Sequence, residues 1–423
     1  MKRVLIVSYY FPPLGGIGSI RILRFAENLM DYGWKTTVLA PRDGAYHRDP
    51  SLIFPEERVI RTRSIELSRV GKRLACAGGT DTEAASVHGA RGLLRSVVNQ
   101  YVYFPDAQIG WYLPAVLRTA RSIHAGDYDA IFSSSFPVTA HLVARTLHRR
   151  LGAPWVAEFR DPWCAALTGT RSARRRAERL EQSLTQEASA LVTVSPSWAR
   201  LLGAAWQREV SVIPNGHDAI QPSASGLQTS SGFRLGYLGT YYPQSQNLDA
   251  VWSAATLVNR DTRTVDEIRV VGSYDGALAS HVEACGAKDL LSFSGYLSYA
   301  DASAEISRCA ALVLAGPQDS AGVGRGWIPA KLFEYLSTNL PIIYVGHPDT
   351  DAADILRSLP GTHIVRTGDI PAAVEALRTV RSEVAERDVT HMSRHALAGR
   401  LAALLDDVSS SYRSTRRRCT QSA

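Results

Sequence analysis

The chain has 423 residues, of which 45% are hydrophobic and 21% are charged, and its formal net charge is +7. This length predicts two domains, and the absence of an apolar run near ~20 residues argues against a membrane span. Five scattered cysteines without a CxxC pair argue against a disulfide framework or a zinc site and favour a reducing compartment.

The chain begins with a predicted β-loop-α-β unit. RVLIV suits a buried strand, and the loop SYYFPPLGGIGSIR (8–21) leads into a helix before a second strand, KTTVLA. The apolar run at the N-terminus is short and lacks a small-residue cleavage site, so we interpret it as the first strand rather than as a signal peptide, and expect a cytoplasmic protein. Glycines at a helix N-terminus let a ligand approach the backbone, where N–H groups favour negative charge. Arg21 breaks the GxGxxG spacing, so the loop indicates either a phosphate site or a tight turn.

Strands and helices alternate through the rest of the first half. Helices are predicted at 137–150 and 172–188, whereas 65–110 is interpreted as a flexible excursion without assigned structure. The predicted strands are VIRTRS (59–64), DAIFSSS (129–135), WVAEF (155–159), ALVTVS (190–195) and VSVIP (210–214). This alternation predicts a mostly parallel sheet with helices on both faces.

A polar segment, AIQPSASGLQTSSG, interrupts the pattern, which then restarts. Helices are predicted from about Asn247 and Pro329, and a last one over 388–406 could return to the first domain. The strands of this half are RLGYLG, EIRVVGS, LLSFSG, AALVLAG and PIIYVG. We therefore predict an α/β protein with two doubly wound, Rossmann-like domains facing across a cleft, where ligands bind at the carboxyl ends of the strands.

The domain boundaries follow from these breaks. The first domain is predicted at 1–213, the hinge at 214–233, the second domain at 234–406, and a basic tail without fixed structure at 407–423.

The segment PAKLFEYLSTNLPIIYVG (329–346) carries the clearest chemical signal. Lys331 and Glu334 fall in the first turns of a helix that should begin near the cleft. A carboxylate there can accept bonds from a ribose diol, and a lysine can neutralise a diphosphate. The alternative is structural, since acidic residues favour the first turn of any helix.

Four motifs in this order resemble the GT-B glycosyltransferases, specifically the retaining family 4 enzymes and a bacterial branch with an FRDPW element. They are SYYFPPLGGIGSIR, DAIFSSSFPVTAHLVA with PWVAEFRDPW, VIPNGHD, and the segment around Glu334. The resemblance covers roughly 1–405. It implies transfer of a sugar from a nucleoside diphosphate donor to a hydroxyl acceptor, with retention of anomeric configuration. The acceptor would be a lipid-linked glycan, a cell-envelope glycoconjugate or a natural product.

The resemblance also implies the site residues. Asp161 and Lys331 are the expected catalytic residues, and Arg160 with Asp161 is expected to form the acceptor side. The alternative is structural, since Arg160 and Asp161 could pair with each other and only support the fold. The donor-binding residues are expected to be Gly15, Gly16, Gly239, Arg325, Lys331 and Glu334.

The chain departs from the family pattern at several positions. Gly326 stands eight residues before Glu334, where the family has an acidic residue that contacts the donor sugar. Thr240 and Gln246 replace a frequent arginine and lysine, and Glu158 replaces the aspartate before FRDPW. We expect Lys331 and Arg325 to supply the positive charge for the diphosphate.

No metal or other cofactor is expected. The carboxylate pairs DYD (127–129) and DTD (349–351) are interpreted as caps and turns. The basic runs RSARRRAER (171–179) and RSTRRRC (413–419) lack interleaved aromatics, which argues against nucleic acid. They indicate either solvated surfaces or peripheral contact with anionic lipid on the inner face of a membrane.

Two other functions share the fold. A GT-B sugar-nucleotide epimerase or hydrolase would use the same donor without transfer to an acceptor. A catalytically silent partner subunit would explain the glycine at position 326.

Overall fold

The computed structural model divides the chain into two compact units. The first contains Met1–Val194, Leu202–Ile213 and Ala398–Ala423, and the second contains Ser195–Leu201 and Pro214–Leu397. The described residues are 1–44, 46–65, 103–167, 170–218, 232–261, 264–272, 274–380 and 386–421. Most of the predicted excursion at 65–110 and of the predicted hinge at 214–233 lies outside them.

The first unit is built on a sheet of seven strands, all parallel, in the order β3-β2-β1-β4-β5-β6-β7. The strands are β1 (Lys2–Val7), β2 (Trp34–Pro41), β3 (Val59–Thr62), β4 (Ala130–Ser135), β5 (Trp155–Phe159), β6 (Ala190–Thr193) and β7 (Ser211–Val212). All residues of β4 and β5, and those of β1 from Val4 onward, are buried because helices cover both sheet faces, and these strands are correspondingly rich in apolar residues.

Among the described residues, six helices lie between these strands. They are α1 (Ile17–Asn28), α2 (Tyr112–Ala120), α3 (Thr139–Leu151), α4 (Trp163–Ala166), α5 (Arg171–Glu187) and α6 (Pro196–Trp206). Helix α3 ends at Gly152, which caps its C-terminus in a left-handed conformation with φ of 62°. Short 3-10 helices occur at Glu56–Arg58 and Ile109–Trp111.

The second unit contains a sheet of six parallel strands in the order β10-β9-β8-β11-β12-β13. The strands are β8 (Arg234–Leu238), β9 (Glu267–Val271), β10 (Leu291–Phe293), β11 (Ala311–Ala315), β12 (Ile342–Gly346) and β13 (Thr362–Arg366). Apolar clusters cover the two faces of this sheet, one containing Trp252 and the other containing Phe333. The predicted fold class is thus confirmed, because each unit has a parallel sheet with interleaved helices.

The helices of the second unit connect its strands. They are α7 (Asp249–Asp261), α8 (Gly276–Ala284), α9 (Tyr299–Ile306), α10 (Lys331–Leu336), α11 (Asp351–Arg357) and α12 (Ile370–Thr379). Short 3-10 helices occur at Lys288–Leu290 and Thr390–Met392. No helix among the described residues has the length and apolar character needed to cross a membrane.

The last helix, α13 (Arg394–Gln421), continues through most of the segment for which the sequence predicts no fixed structure. From Ala398 onward its residues belong to the first unit. There the Asp406 carboxylate accepts hydrogen bonds from Lys2 Nζ at 2.6 Å and from Trp34 Nε1 at 3.0 Å. This helix is therefore an integral part of the first unit's packing.

Candidate active site

The glycine loop after β1 is tightly packed. Gly16 precedes α1 with φ of 85°, a conformation that residues with a side chain rarely adopt. A Cβ atom on Gly15 would lie 2.2 Å from the His47 ring, and one on Gly16 would lie 3.0 Å from the Tyr46 ring. Backbone conformation and packing thus account for both glycines, and their contact with a donor stays a prediction.

Arg160 joins three segments at the carboxyl end of the sheet in the first unit. Its Nε donates to the carbonyl of Ser135 at 2.6 Å, and its Nη2 donates to the carbonyl of Phe136 at 3.2 Å. The guanidinium also packs against Gly18 in the first turn of α1, where a Cβ atom would lie 2.6 Å from Nη1. Asp161, the next residue, is exposed. Arg160 therefore fixes the local backbone, while Asp161 remains open to solvent.

A buried ion pair lies near Arg160, between α1 and β5. Arg21 Nη2 is 2.6 Å from Glu158 Oε1, with 5% and 0% of the two side chains exposed. Ser134 donates to Glu158 Oε2 at 2.6 Å, and Arg21 donates to the carbonyl of Ile213 at 2.7 Å. Arg21, which breaks the GxGxxG spacing, thus holds α1 against β5. Removing one partner of such a pair typically costs about 3–5 kcal/mol.

His141 belongs to the packing of this unit. Its ring is completely buried, and Nδ1 lies 2.8 Å from Ser133 Oγ. Burial lowers the pKa of His141 to about 3, with a smaller contribution from the positive charge of Arg160. The imidazole is therefore neutral at physiological pH.

In the second unit, Lys331 presents an unusual amine. Its Nζ is buried without a hydrogen-bond partner in the described part of the chain, and lies 4.1 Å from the ring centroid of Tyr237. Burial lowers the pKa of Lys331 to about 7. A buried amine that lacks an anionic partner is a candidate ligand for an anion.

Helix α10 places Lys331 beside the carboxyl end of β8. Tyr335, one turn after Lys331, accepts a hydrogen bond at its Oη from the backbone N–H of Leu238 at 2.8 Å. Gly239 follows with φ of 83°, and a Cβ atom there would meet no atom within 4 Å. The structure thus brings the predicted residues Lys331 and Gly239 to one strand end, next to open space.

Glu334 lies on the same helix but is already engaged. Both of its carboxylate oxygens are 2.9 Å from the Tyr299 hydroxyl, and Oε1 also accepts from Nη2 of Arg394. Only 7% of its side chain is exposed. Arg394 in turn contacts Asp218 at 3.1 Å. Glu334 is therefore part of a buried charge network.

The remaining residues that the sequence predicts for donor binding differ in their surroundings. Arg325 forms a close ion pair with Asp349 and lies 3.8 Å from Asp354, so its charge is already compensated. A Cβ atom on Gly326 would lie 2.2 Å from the ring of Trp198, whose Nε1 donates to the carbonyl of Val323 at 2.8 Å. The indole thus fills the place into which a side chain at position 326 would project.

The carboxylate pairs have structural roles. Asp127 accepts from the backbone N–H of His124, and Asp129 accepts from that of Arg3. Asp351 accepts two hydrogen bonds from Ser197. The described residues contain no group of three or more His, Cys, Asp or Glu side chains that could hold a metal ion.

Sequence reasoning missed Arg394 and Tyr299, the partners of Glu334. A signal for Arg394 was present, because it shares helical spacing with the buried Leu397, Leu401 and Leu405. A charged side chain on such an apolar stripe indicates a buried partner. The sequence did not identify that partner, since Glu334 lies 60 residues away.

Comparisons with known proteins agree with this architecture. Residues 15–216 match the glycosyl transferase 4-like domain family. No curated protein sequence matches the chain significantly.

Solved structures of glycosyltransferases are similar over nearly the whole chain. Sucrose-phosphate synthase from Thermosynechococcus elongatus is 12% identical with a TM-score of 0.59, and 100% of each chain is covered. Anabaena HepE in complex with UDP and glucose is 15% identical with a TM-score of 0.56, covering 99% of this chain and 100% of HepE. WaaG, a glycosyltransferase of lipopolysaccharide biosynthesis, is 12% identical with a TM-score of 0.53, covering 96% of this chain and 98% of WaaG.

Residues 15–216 are thus similar to the glycosyl transferase 4-like domain family, and the chain shares the GT-B fold of these solved structures along nearly its whole length.

Proposed function

We propose that this protein transfers a sugar from a nucleoside diphosphate sugar to a hydroxyl acceptor, with retention of anomeric configuration. The observation that carries the proposal is the buried Lys331 amine beside the open turn at Gly239. HepE, which has the same fold, binds UDP and UDP-glucose. A diphosphate at this strand end would supply the negative charge that Lys331 lacks.

The other donor contacts follow from the same arrangement. Glu334 would hold the ribose hydroxyls, because a carboxylate has roughly four acceptor positions and its present partners leave some of them free. Arg325 would contribute less than Lys331, since Asp349 and Asp354 already compensate its charge. With the indole of Trp198 against Gly326, contacts to the donor sugar would have to come from other residues.

The reaction itself needs little acid–base chemistry. The bond between the anomeric carbon and the diphosphate oxygen breaks, the acceptor oxygen bonds to that carbon, and its proton passes to the leaving diphosphate. Lys331 would stabilise the charge that develops on the diphosphate, and Asp161 would orient the acceptor hydroxyl. Arg160 would hold the backbone around Asp161 through its carbonyl contacts. This route requires no metal or other cofactor.

A lipid-linked acceptor is supported by the basic face of α5. Arg171, Arg175, Arg176 and Arg179 line one concave surface of that helix. Anionic lipid headgroups attract such clusters by about 1 kcal/mol per arginine. We therefore place the protein in the cytoplasm with peripheral contact to the inner face of the membrane.

The test is a donor assay with two variants. UDP-, GDP-, ADP- and TDP-sugars are incubated with sugar and lipid-linked sugar acceptors, and release of nucleoside diphosphate is followed. Glu334→Gln removes a charge-assisted bond worth about 1.5–3 kcal/mol, so KM for the donor should rise roughly 10- to 100-fold. Lys331→Met should lower kcat more than it raises KM, because the diphosphate gains its full charge only in the transition state.

The assay also separates the alternatives. Release that depends on the acceptor, with a product of unchanged anomeric configuration by NMR, is the expected result. Equal release without acceptor would indicate a hydrolase, and conversion of the donor to an epimeric nucleotide sugar without net release would indicate an epimerase. Nucleotide binding without any turnover would indicate a silent partner subunit, and equal kinetics in both variants and the parent would mean that the donor site lies elsewhere.

A further inference from the structure

The charge network around Glu334 connects three parts of the second unit. Glu334 lies on α10, Tyr299 begins α9, and Arg394 begins α13. Arg394 Nη1 lies 2.9 Å from the Tyr299 hydroxyl and 3.1 Å from Asp218 Oδ2, while its Nη2 donates to Glu334. The side chains of Glu334 and Arg394 are 7% and 6% exposed. These residues therefore form one continuous chain of hydrogen bonds in the interior.

The direction of each hydrogen bond in this network follows from which groups can donate. A guanidinium can only donate, so Arg394 donates to the Tyr299 oxygen, and the Tyr299 proton must point towards the Glu334 carboxylate. Burial opposes the charge of Arg394, but Glu334, Tyr299 and Asp218 together outweigh this effect and raise the pKa of Arg394. Burial, with the same negative charge, also raises the pKa of Tyr299. The carboxylate thus faces one fixed cation and one fixed hydroxyl proton.

We propose that Arg394 is a positioning residue for nucleotide recognition: with Tyr299, it fixes the Glu334 carboxylate so that its remaining acceptor positions face the ribose diol. The proposal rests on the proposed role of Glu334 at the ribose. It adds that ribose selectivity depends on a residue that does not touch the nucleotide.

Arg394 and Tyr299 act on the orientation of the Glu334 carboxylate. A side chain on a six-residue helix can rotate about its last torsion, which is broad and roughly two-fold. Arg394 and Tyr299 remove that freedom by engaging the carboxylate from two directions. They also compensate a negative charge that would otherwise be costly to bury. A diol that needs two correctly placed acceptors therefore meets a preorganised partner.

Selectivity for ribose provides the readout. UDP, GDP and ADP, each paired with its 2′,3′-dideoxy form, are titrated into the parent protein and into the variant Arg394→Met. The parent should bind the ribose form of its nucleotide roughly 10- to 100-fold more tightly than the dideoxy form. In Arg394→Met the ratio should fall below about 3, through weaker binding of the ribose form and little change for the dideoxy form.

Two milder variants and one control support the interpretation. Arg394→Lys keeps the charge with fewer donors and should give an intermediate ratio. Tyr299→Phe removes one hydroxyl and no charge, and should lower the ratio at least about 3-fold. This variant replaces Arg394→Met in the test if Arg394→Met does not fold. Arg400→Met replaces an exposed arginine of the same helix and should leave the ratio unchanged.

The outcomes separate this inference from the proposed function. A parent protein that binds a diphosphate but does not distinguish ribose from dideoxyribose would show that Glu334 does not hold the diol. A selective parent with an equally selective, folded Arg394→Met would leave the role of Glu334 intact and overturn the inference about Arg394. The same holds for an equally selective Tyr299→Phe where Arg394→Met fails to fold.

Discussion

Burial lowers the pKa of Lys331 to about 7, which makes proton uptake a signature of its ligand. At about pH 8.5 the amine of the free protein is mostly neutral, and a bound diphosphate would favour its charged form. We therefore expect nucleoside diphosphate binding at this pH to take up close to one proton. Calorimetric titration in buffers of different ionisation enthalpy measures this number. Because the proton must be acquired, affinity should decrease as the pH rises above about 7.

Two comparisons isolate the contribution of Lys331. At about pH 6 the Lys331 amine is already charged, so nucleotide binding should take up no proton at this residue. Lys331→Met should bind without uptake at the higher pH, where the terminal phosphate is already ionised because its second pKa is about 6. Uptake that persists in the variant would assign the proton to another group.

At the scale of single residues, the sequence identified candidate side chains where a short sequence pattern marks their position. Lys331 and Glu334 could be found because a proline, a lysine and an acidic residue mark the start of a helix. The partners Arg394 and Tyr299 could not be paired with Glu334, since their contacts depend on tertiary packing. The conflict between Gly326 and Trp198 likewise needed the fold, because these residues are far apart in the chain.

Helix α5 carries a prediction at the scale of an element. Its arginines 171, 175 and 179 lie at helical spacing on one surface, so replacing all three by glutamate should repel anionic lipid. At about 1 kcal/mol for each arginine, we expect partition into phosphatidylserine vesicles to fall roughly 100-fold or more. Co-sedimentation with vesicles measures it.

A matched charge reversal distinguishes the helix from the net charge of the protein. Arg121, Arg366 and Arg400 are exposed elsewhere, and their replacement by glutamate changes the net charge by the same amount. This control should retain most of the binding. Equal partition of the α5 variant and the parent would show that the helix face is merely solvated.

The sequence predicted most strands to within two residues because buried parallel strands are continuous apolar runs. It missed β13, whose residues are mostly half-buried at the sheet edge. It also did not predict the helices α2, α4, α6, α8, α9, α11 and α12, five of which have fewer than ten residues. Helix α10 begins at Lys331 rather than near Pro329, whose carbonyl instead accepts from Leu332 in a tighter turn.

At the scale of the whole molecule, the order of two parallel-sheet units was predictable from the alternation of elements. The assignment of Ser195–Leu201 to the second unit was not, and the return of the last helix to the first unit was only one possibility that the sequence offered. These assignments depend on contacts between segments that are distant in sequence, such as Lys2 with Asp406 and Asp129 with Ser409.

Helix α13 should therefore contribute to the stability of the first unit. Leu401 is completely buried, so Leu401→Ala should lower the free energy of unfolding by about 2–5 kcal/mol. Thermal unfolding measures the change, with Arg400→Ala on the exposed side as the control. A variant that melts like the parent would mean that this helix is not part of the cooperative unit.

We expect the second unit to bind a nucleoside diphosphate through Lys331 and Glu334. The most direct measurement is calorimetric titration of UDP, GDP, ADP and TDP into the parent, Lys331→Met and Glu334→Gln, with Arg400→Met as control. We expect at least one diphosphate to bind the parent and the control equally, and both site variants to bind it at least about 10-fold more weakly. No binding to the parent, or equal binding to all four proteins, would contradict the account.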